Sequence, residues 1–183
     1  MLKTEIPALV PNIWTTIAKL RINRVDALAP KMQTYVAACL AECRTVGLVN
    51  GQLFDPIVFE TIRTDALQRI YFNQGTTKAP TAIYGWHFYG LAVDVISASR
   101  EWSVTPAWWT KLAEIMERHG LDAGHRWTRP DDPHGQFGTV KGSPSDLART
   151  LYFGTPHWQT LSTYDGAAHT AGLRRVWEDV GAL

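Results

Sequence analysis

Cysteine is scarce in this chain of 183 residues, which has only Cys39 and Cys43. Two thiols cannot build a disulfide framework, and their i,i+4 spacing suits one buried helix face in a protein of a reducing compartment. Net charge is nearly absent too: 18 Lys+Arg against 17 Asp+Glu leave +1, and charged residues are 19% of the chain, below the roughly 25% usual in soluble domains. That balance excludes a protein that grips nucleic acid or anionic lipid with its whole surface. No apolar run approaches the roughly 18 to 20 residues of a membrane span, so no stable membrane insertion is expected. Repeats, low-complexity tracts and linkers that would separate two domains are also lacking. The opening MLKTEIPALVPNIW has no apolar signal core, so the expectation is synthesis in the cytoplasm without self-encoded export.

What is present is 45% hydrophobic residues, in a length that fits one domain burying roughly 70% of the surface its unfolded chain exposes. Eight tryptophans stand out; filling a core is their ordinary role, and forming a ligand platform the other.

Residues 1–22 read as an N-terminal extension and 23–183 as a single domain. In the extension Ile13, Trp14, Ile17 and Leu20 have helical spacing, while Pro7 and Pro11 keep the start irregular. Pro30, an apolar face of Met32, Val36, Cys39, Leu40 and Cys43, and Gly47 predict a helix over 30–46. The β-branched run 57–62 (IVFETI) reads as a strand that delivers Arg63 at its end, and Thr64 as the cap of a short helix carrying Leu67, Ile70 and Tyr71. A second strand, 92–96 (AVDVI), sets Asp94 on the same face as Ala92 and Ile96, where a carboxylate needs a partner. Thr105 and Pro106 open a helix with the stripe Trp108, Trp109, Leu112, Ile115, Met116 and His119, closed by Gly120. Ser143, Pro144 and Asp146 read as a capping box for a further helix, and a last helix ends at RRVWEDVGAL. Helices and short strands without a βαβ repeat predict an α+β fold with a small antiparallel sheet.

Ligand-type side chains concentrate at His87 and Asp94 in GWHFYGLAVD and at His134 in RPDDPHGQF. Two histidines and a carboxylate are a set that binds catalytic Zn²⁺ and leaves a fourth position open. Gly90 lets the chain turn so that His87 and Asp94 converge, while His134 arrives from another strand or loop. Asp131, three residues before His134 and stiffened by Pro133, has the reach of a general base for a metal-activated water. Asp132 reads as a turn residue. Arg63 has two readings: a fixed charge for a substrate carboxylate or an oxyanion, or a surface salt bridge with Asp65. His119 reads as structural at a helix C-terminus, and His125 as a loop residue near the site.

Together, IRTDALQRIYFNQG, GWHFYGLAVDV and GLDAGHRWTRPDDPH resemble the zinc peptidases that include D-alanyl-D-alanine carboxypeptidases, vancomycin-resistance dipeptidases and phage L-alanyl-D-glutamate endopeptidases. The likeness covers about residues 28–140. It implies a hedgehog-like zinc D,D-peptidase fold, Zn²⁺ on His87, Asp94 and His134, Asp131 as catalytic carboxylate and Arg63 assisting. Gln68 and Trp127 fall at positions near the family's cleft. An Asp at 131, where the dipeptidases usually carry Glu, points to the endopeptidase branch. The resemblance therefore implies an endolysin-like monomer that cuts the peptidoglycan stem peptide between L-Ala and D-Glu and acts at the wall after release from a host cytoplasm. The alternatives are a D-alanyl-D-alanine carboxypeptidase or dipeptidase, and an inactive wall-binding or phage structural module. Two positions depart from the pattern: Gly85 replaces the motif serine, and Gly135 replaces an aromatic residue, which is expected to open the cleft wall beside the metal.

Overall fold

The computed structural model describes residues 13–161 and 166–183; the irregular start expected around Pro7 and Pro11 lies outside them. In chain order the elements are α1 (Ile13–Leu20), α2 (Pro30–Cys43), β1 (Leu48–Val49), β2 (Gln52–Leu53), β3 (Pro56–Glu60), α3 (Asp65–Asn73), β4 (Ala92–Ser97), α4 (Pro106–Arg118), β5 (Leu121–Ala123), β6 (His134–Phe137), α5 (Asp146–Phe153) and α6 (Gly166–Val180). β1 and β2 form a two-stranded ladder, and a four-stranded antiparallel sheet runs in the order β3-β4-β6-β5. The fold is thus α+β, with small antiparallel sheets flanked by helices. No helix among the described residues is long and apolar enough to cross a membrane.

Local chemistry accounts for the boundaries. Pro30 sits in the first turn of α2, where a missing N–H costs nothing. The Thr64 hydroxyl accepts from the Leu67 N–H at 3.4 Å and caps α3. At α5 the cap is Ser145, accepting from the Ala148 N–H at 3.4 Å, and not Ser143: Ser145 is the residue immediately before the first helical turn, the position where a side-chain oxygen reaches the free N–H groups. β3 stops at Glu60, short of residue 62: its pairing with β4 resumes at Glu60 after a register shift between Val58 and Glu60 and ends there. Thr61 then turns its N–H to the Ile22 carbonyl at 2.7 Å. That bond and the packing of α1 against α3 hold residues 13–22 on the domain.

The core lies between the sheet and α4, with α2 packed on α4. Trp108, Leu112, Ile115 and Met116 of α4 are buried, as are Met32, Val36, Cys39 and Cys43 of α2; both thiols are free. Every residue of β4 is buried, which fits a strand covered on both faces. Trp108 is fully buried and also donates its indole N–H to the Leu53 carbonyl at 3.1 Å. Trp108→Ala should lower unfolding stability by about 3–5 kcal/mol, read from urea melts, and leave metal content per folded molecule unchanged.

Candidate metal centre

The sheet register assembles the site. Glu60 stands opposite Asp94 across β3 and β4, and Asp94 stands opposite His134 across β4 and β6, so a buried acid, a second acid and an imidazole form one row on one face. The bulge between Val58 and Glu60 brings Glu60 into that row; bulges beside functional sites often re-aim a side chain in this way. His87 comes from the 3₁₀ turn Trp86–Tyr89, and Gly90 reverses the chain into β4 in the left-handed region, φ 67°, where glycine pays no steric cost.

Three ligand atoms, one each from His87, Asp94 and His134, lie within 4.8 Å of one another, and all three residues are buried. His87 Nε2 and His134 Nδ1 are each 3.2 Å from Asp94 Oδ1. The other nitrogen of each ring is committed. His87 Nδ1 is 2.9 Å from the Thr61 carbonyl, which only accepts, so Nδ1 carries the hydrogen. His134 Nε2 is 3.2 Å from Gln136 Oε1 and donates to it. Neutral rings in these tautomers aim two nitrogen lone pairs at one carboxylate oxygen, and His87 Nε2 is buried without a hydrogen-bond partner. A cation between the three atoms satisfies all of them. Donors around a tetrahedral Zn²⁺ with bonds near 2.05 Å stand about 3.3 Å apart, close to the 3.2 Å contacts found. The donor set and its spacing therefore fit zinc.

Charge around the cluster is tightly held. Without a cation the rings can meet Asp94 in their protonated form instead. Burial by itself pushes the Asp94 carboxyl up, but the charge on a protonated His87 and hydrogen bonds from protonated His134 and His87 outweigh it and hold the group well below the usual carboxylate range. Burial lowers the His134 imidazole, yet its bond to Asp94 and the charges of Asp94 and Asp131 win and push it up. Arg63 donates from Nη2 to Asp94 Oδ2 at 3.2 Å and pairs through Nε with Glu60. Burial opposes its charge, and the carboxylates of Glu60 and Asp94 restore it, so its pKa rises above the ordinary value. The Tyr71 hydroxyl donates to the other oxygen of Glu60 at 3.0 Å, and the Tyr71 ring lies 5.1 Å from the guanidinium carbon. Arg63 is thus held beside the cluster by two buried acids and an aromatic face.

The cluster forms the floor of a cleft of ≈ 740 Å³ that Arg63, Gln68, Trp86, Trp127, Asp131 and Lys78 also line. Asp131 is exposed at its mouth, and the concave wall still strips enough water to push its carboxyl above the usual range, with the Asp94 charge adding to the effect. Its backbone is fixed on both sides: the Asp131 N–H donates to the Gly124 carbonyl at 3.0 Å, and the Asp131 carbonyl accepts from the His134 N–H at 3.1 Å. Gly124 has to lack a side chain, because a Cβ there would lie 2.4 Å from the Asp131 carbonyl oxygen. The Trp127 ring stands 5.2 Å from the His134 ring. Gln68 is buried and spends its amide N–H groups on the Ala79 carbonyl, at 2.7 Å, and Thr77 Oγ1, at 3.2 Å, so it ties down the loop that forms one wall.

Gly135 does not open the cleft. His134 and Gln136 face the site, so strand alternation turns Gly135 to the other side. A Cβ there would meet the Met116 sulfur of α4 at 3.0 Å. Gly85 does line the cleft, and a Cβ on it would meet only the Ala82 carbonyl oxygen, at 3.6 Å. His125 and Asp132 bind each other at 2.8 Å, with Thr110 on the far side of the imidazole at 3.1 Å. His119 binds Glu42 at 2.7 Å at the end of α4. Sequence reasoning passed over Glu60 and Gln136. A buried acid in an apolar strand and a glutamine two residues after a ligand were the available signals.

The fold and site define an α+β protein with a buried His/Asp/His cluster suited to a divalent metal. No protein-family model matches the chain, and no curated protein sequence does. Among solved structures, the crystal structure of the Serratia marcescens L-Ala D-Glu endopeptidase ChiX is similar over 62% of this chain and 82% of that one, with 24% identical residues and a TM-score of 0.46.

Proposed function

We propose that this chain is a zinc-dependent peptidoglycan peptidase that hydrolyses the L-Ala–D-Glu bond of stem peptides. The observation that carries the reading is the convergence of His87 Nε2, Asp94 Oδ1 and His134 Nδ1 at the floor of a cleft with a carboxylate, Asp131, at its mouth. The order and spacing of the motifs supply the choice of reaction, and the Asp at 131 the choice of bond. Residues 23–183 are the catalytic domain on this reading, and the enzyme meets the wall after release from the cytoplasm in which it is made.

A zinc ion held by His87, Asp94 and His134 would supply the Lewis acid for the scissile carbonyl and for water. Asp131 takes the proton of the attacking water and returns it to the departing amine of D-Glu. Arg63, fixed on Glu60 and Asp94, keeps positive charge beside the carbonyl oxygen as negative charge grows there. Trp86 and Trp127 give the peptide apolar walls. Lys78, exposed on the rim, is among the described residues the cation of this cleft that no carboxylate pairs, which suits a substrate bearing free carboxylates.

Purified protein incubated with peptidoglycan should expose new amino groups on glutamate, as detected by end-group labelling. A chelator should abolish the activity and Zn²⁺ restore it. Release of D-Ala from D-Ala-D-Ala with muropeptides left intact would overturn the choice of bond. Binding to sacculi without hydrolysis of any wall substrate would overturn the assignment as an enzyme.

A further inference from the structure

Beneath the cluster the cleft is lined by a polar side chain that is nearly inaccessible to solvent: Gln136, 1% exposed. On β6 it lies two residues beyond His134, hence on the same face, opposite Ala92 of β4 and Asp122 of β5. The small Ala92 side chain leaves the amide room. The two ends of that amide are not interchangeable. The Val140 carbonyl, which can only accept, lies 2.9 Å from the end that must therefore be the NH₂, and Asp122 Oδ2, a second acceptor, lies 3.5 Å from it. Lys141, 3.3 Å from Asp122 Oδ1, holds that carboxylate in place. The carbonyl end is then the one that faces His134 Nε2 at 3.2 Å, and Nε2 has to bring the hydrogen. Asp94 Oδ1 faces the other nitrogen, Nδ1, as a competing acceptor at 3.2 Å, so a neutral ring that gives its one hydrogen to Gln136 turns a bare lone pair toward Asp94.

We propose that Gln136 is a positioning residue which locks His134 in the Nε2–H tautomer and so presets Nδ1 as a metal donor. The proposal rests on the metal reading given above. The other imidazole of the cluster receives the same service from the Thr61 carbonyl, a backbone group that no side-chain substitution can remove. Gln136 is therefore the replaceable half of a matched pair of tautomer locks. Outer partners of this kind typically change metal affinity by about 10- to 100-fold when lost.

The experiment uses the whole chain with ¹⁵N-labelled histidine. Long-range ¹H–¹⁵N correlation spectra of the metal-free wild type, at a pH where the rings are neutral, should show His134 as Nε2–H and His87 as Nδ1–H. His134 found as Nδ1–H overturns the proposal without any variant. Gln136→Met, which keeps the length but has no acceptor, should give His134 mixed tautomers, leave His87 unchanged and weaken zinc by about 10- to 100-fold in a chelator competition. Gln136→Glu retains the acceptor toward Nε2 and loses only the donor to the Val140 carbonyl. It should therefore lower unfolding stability yet keep both the tautomer and zinc affinity close to those of the wild type, which separates a lost lock from a damaged fold. Zinc held as tightly by folded Gln136→Met as by the wild type overturns the role of Gln136 alone. A wild type that binds no zinc overturns the functional reading instead, and the tautomer spectra still decide the lock.

Discussion

Asp131→Asn should reduce kcat by about 10²- to 10⁴-fold while KM and zinc content stay close to those of the wild type. The substitution keeps the size of the side chain and removes only its ability to hold a proton in transit. The surrounding loop is expected to keep its shape, since Asp131 is anchored through its backbone to Gly124 and His134 and neither bond involves the carboxylate. Asp132→Asn is the matched control. Its carboxylate is occupied by His125 at 2.8 Å and Asp132 does not line the cleft, so kcat should change little and any loss should appear in stability. Steady-state kinetics on a soluble muropeptide, together with metal analysis of each variant, check both. If Asp131→Asn loses zinc, Asp131 is a ligand and not the proton carrier; if it retains activity within a few-fold, the base lies elsewhere in the cleft.

The difference between these neighbouring aspartates shows how far the sequence could be read. The Pro-Asp-Asp-Pro run marks a turn, and spacing from His134 favours Asp131. What separates the two residues physically is a tertiary partner, the imidazole of His125, which no local pattern announces. Local signals were legible where one residue does one local job: Thr64 caps α3, Pro30 opens α2, and the stripe of α4 is buried as its period requires. Asp94 was legible as a carboxylate on a buried strand that needs partners. The identity of those partners depends on register, and the shift between Val58 and Glu60 that brings Glu60 opposite Asp94 is a property of the paired strands. Gly135 teaches a different lesson. Treated as a residue following a ligand it belongs to the cleft, but once 134–137 is a strand, parity sends it to Met116. The same parity places Gln136 beside His134.

Asp94→Asn should abolish stoichiometric zinc binding and hydrolysis together, and should also destabilise the metal-free protein by about 3–5 kcal/mol, the cost of breaking a buried ion pair from one side. Three contacts depend on the lost charge. Oδ1 faces His87 and His134 at 3.2 Å each, and Oδ2 accepts from Arg63 at 3.2 Å. An amide can present a carbonyl to Arg63 or to the imidazole edge, but its NH₂ then faces a donor or occupies the position of a ligand oxygen. Glu60 still neutralises Arg63, which places the cost at that of one buried partner lost and keeps the variant within reach of folding. Linkage provides the decisive comparison. A ligand that binds only the folded state stabilises it by about 4 kcal/mol at a free concentration a thousand times its Kd, so excess Zn²⁺ should raise the unfolding midpoint of the wild type and chelator should lower it, while the Asp94→Asn midpoint should respond to neither. Trp108→Ala, by contrast, should lower the midpoint in both conditions and preserve the zinc-dependent difference. A variant at position 94 whose midpoint still rises with Zn²⁺ as the wild type's does would show that the carboxylate is not a ligand, and the His87, Asp94 and His134 cluster would then have to be understood as an ion-pair network built for stability alone.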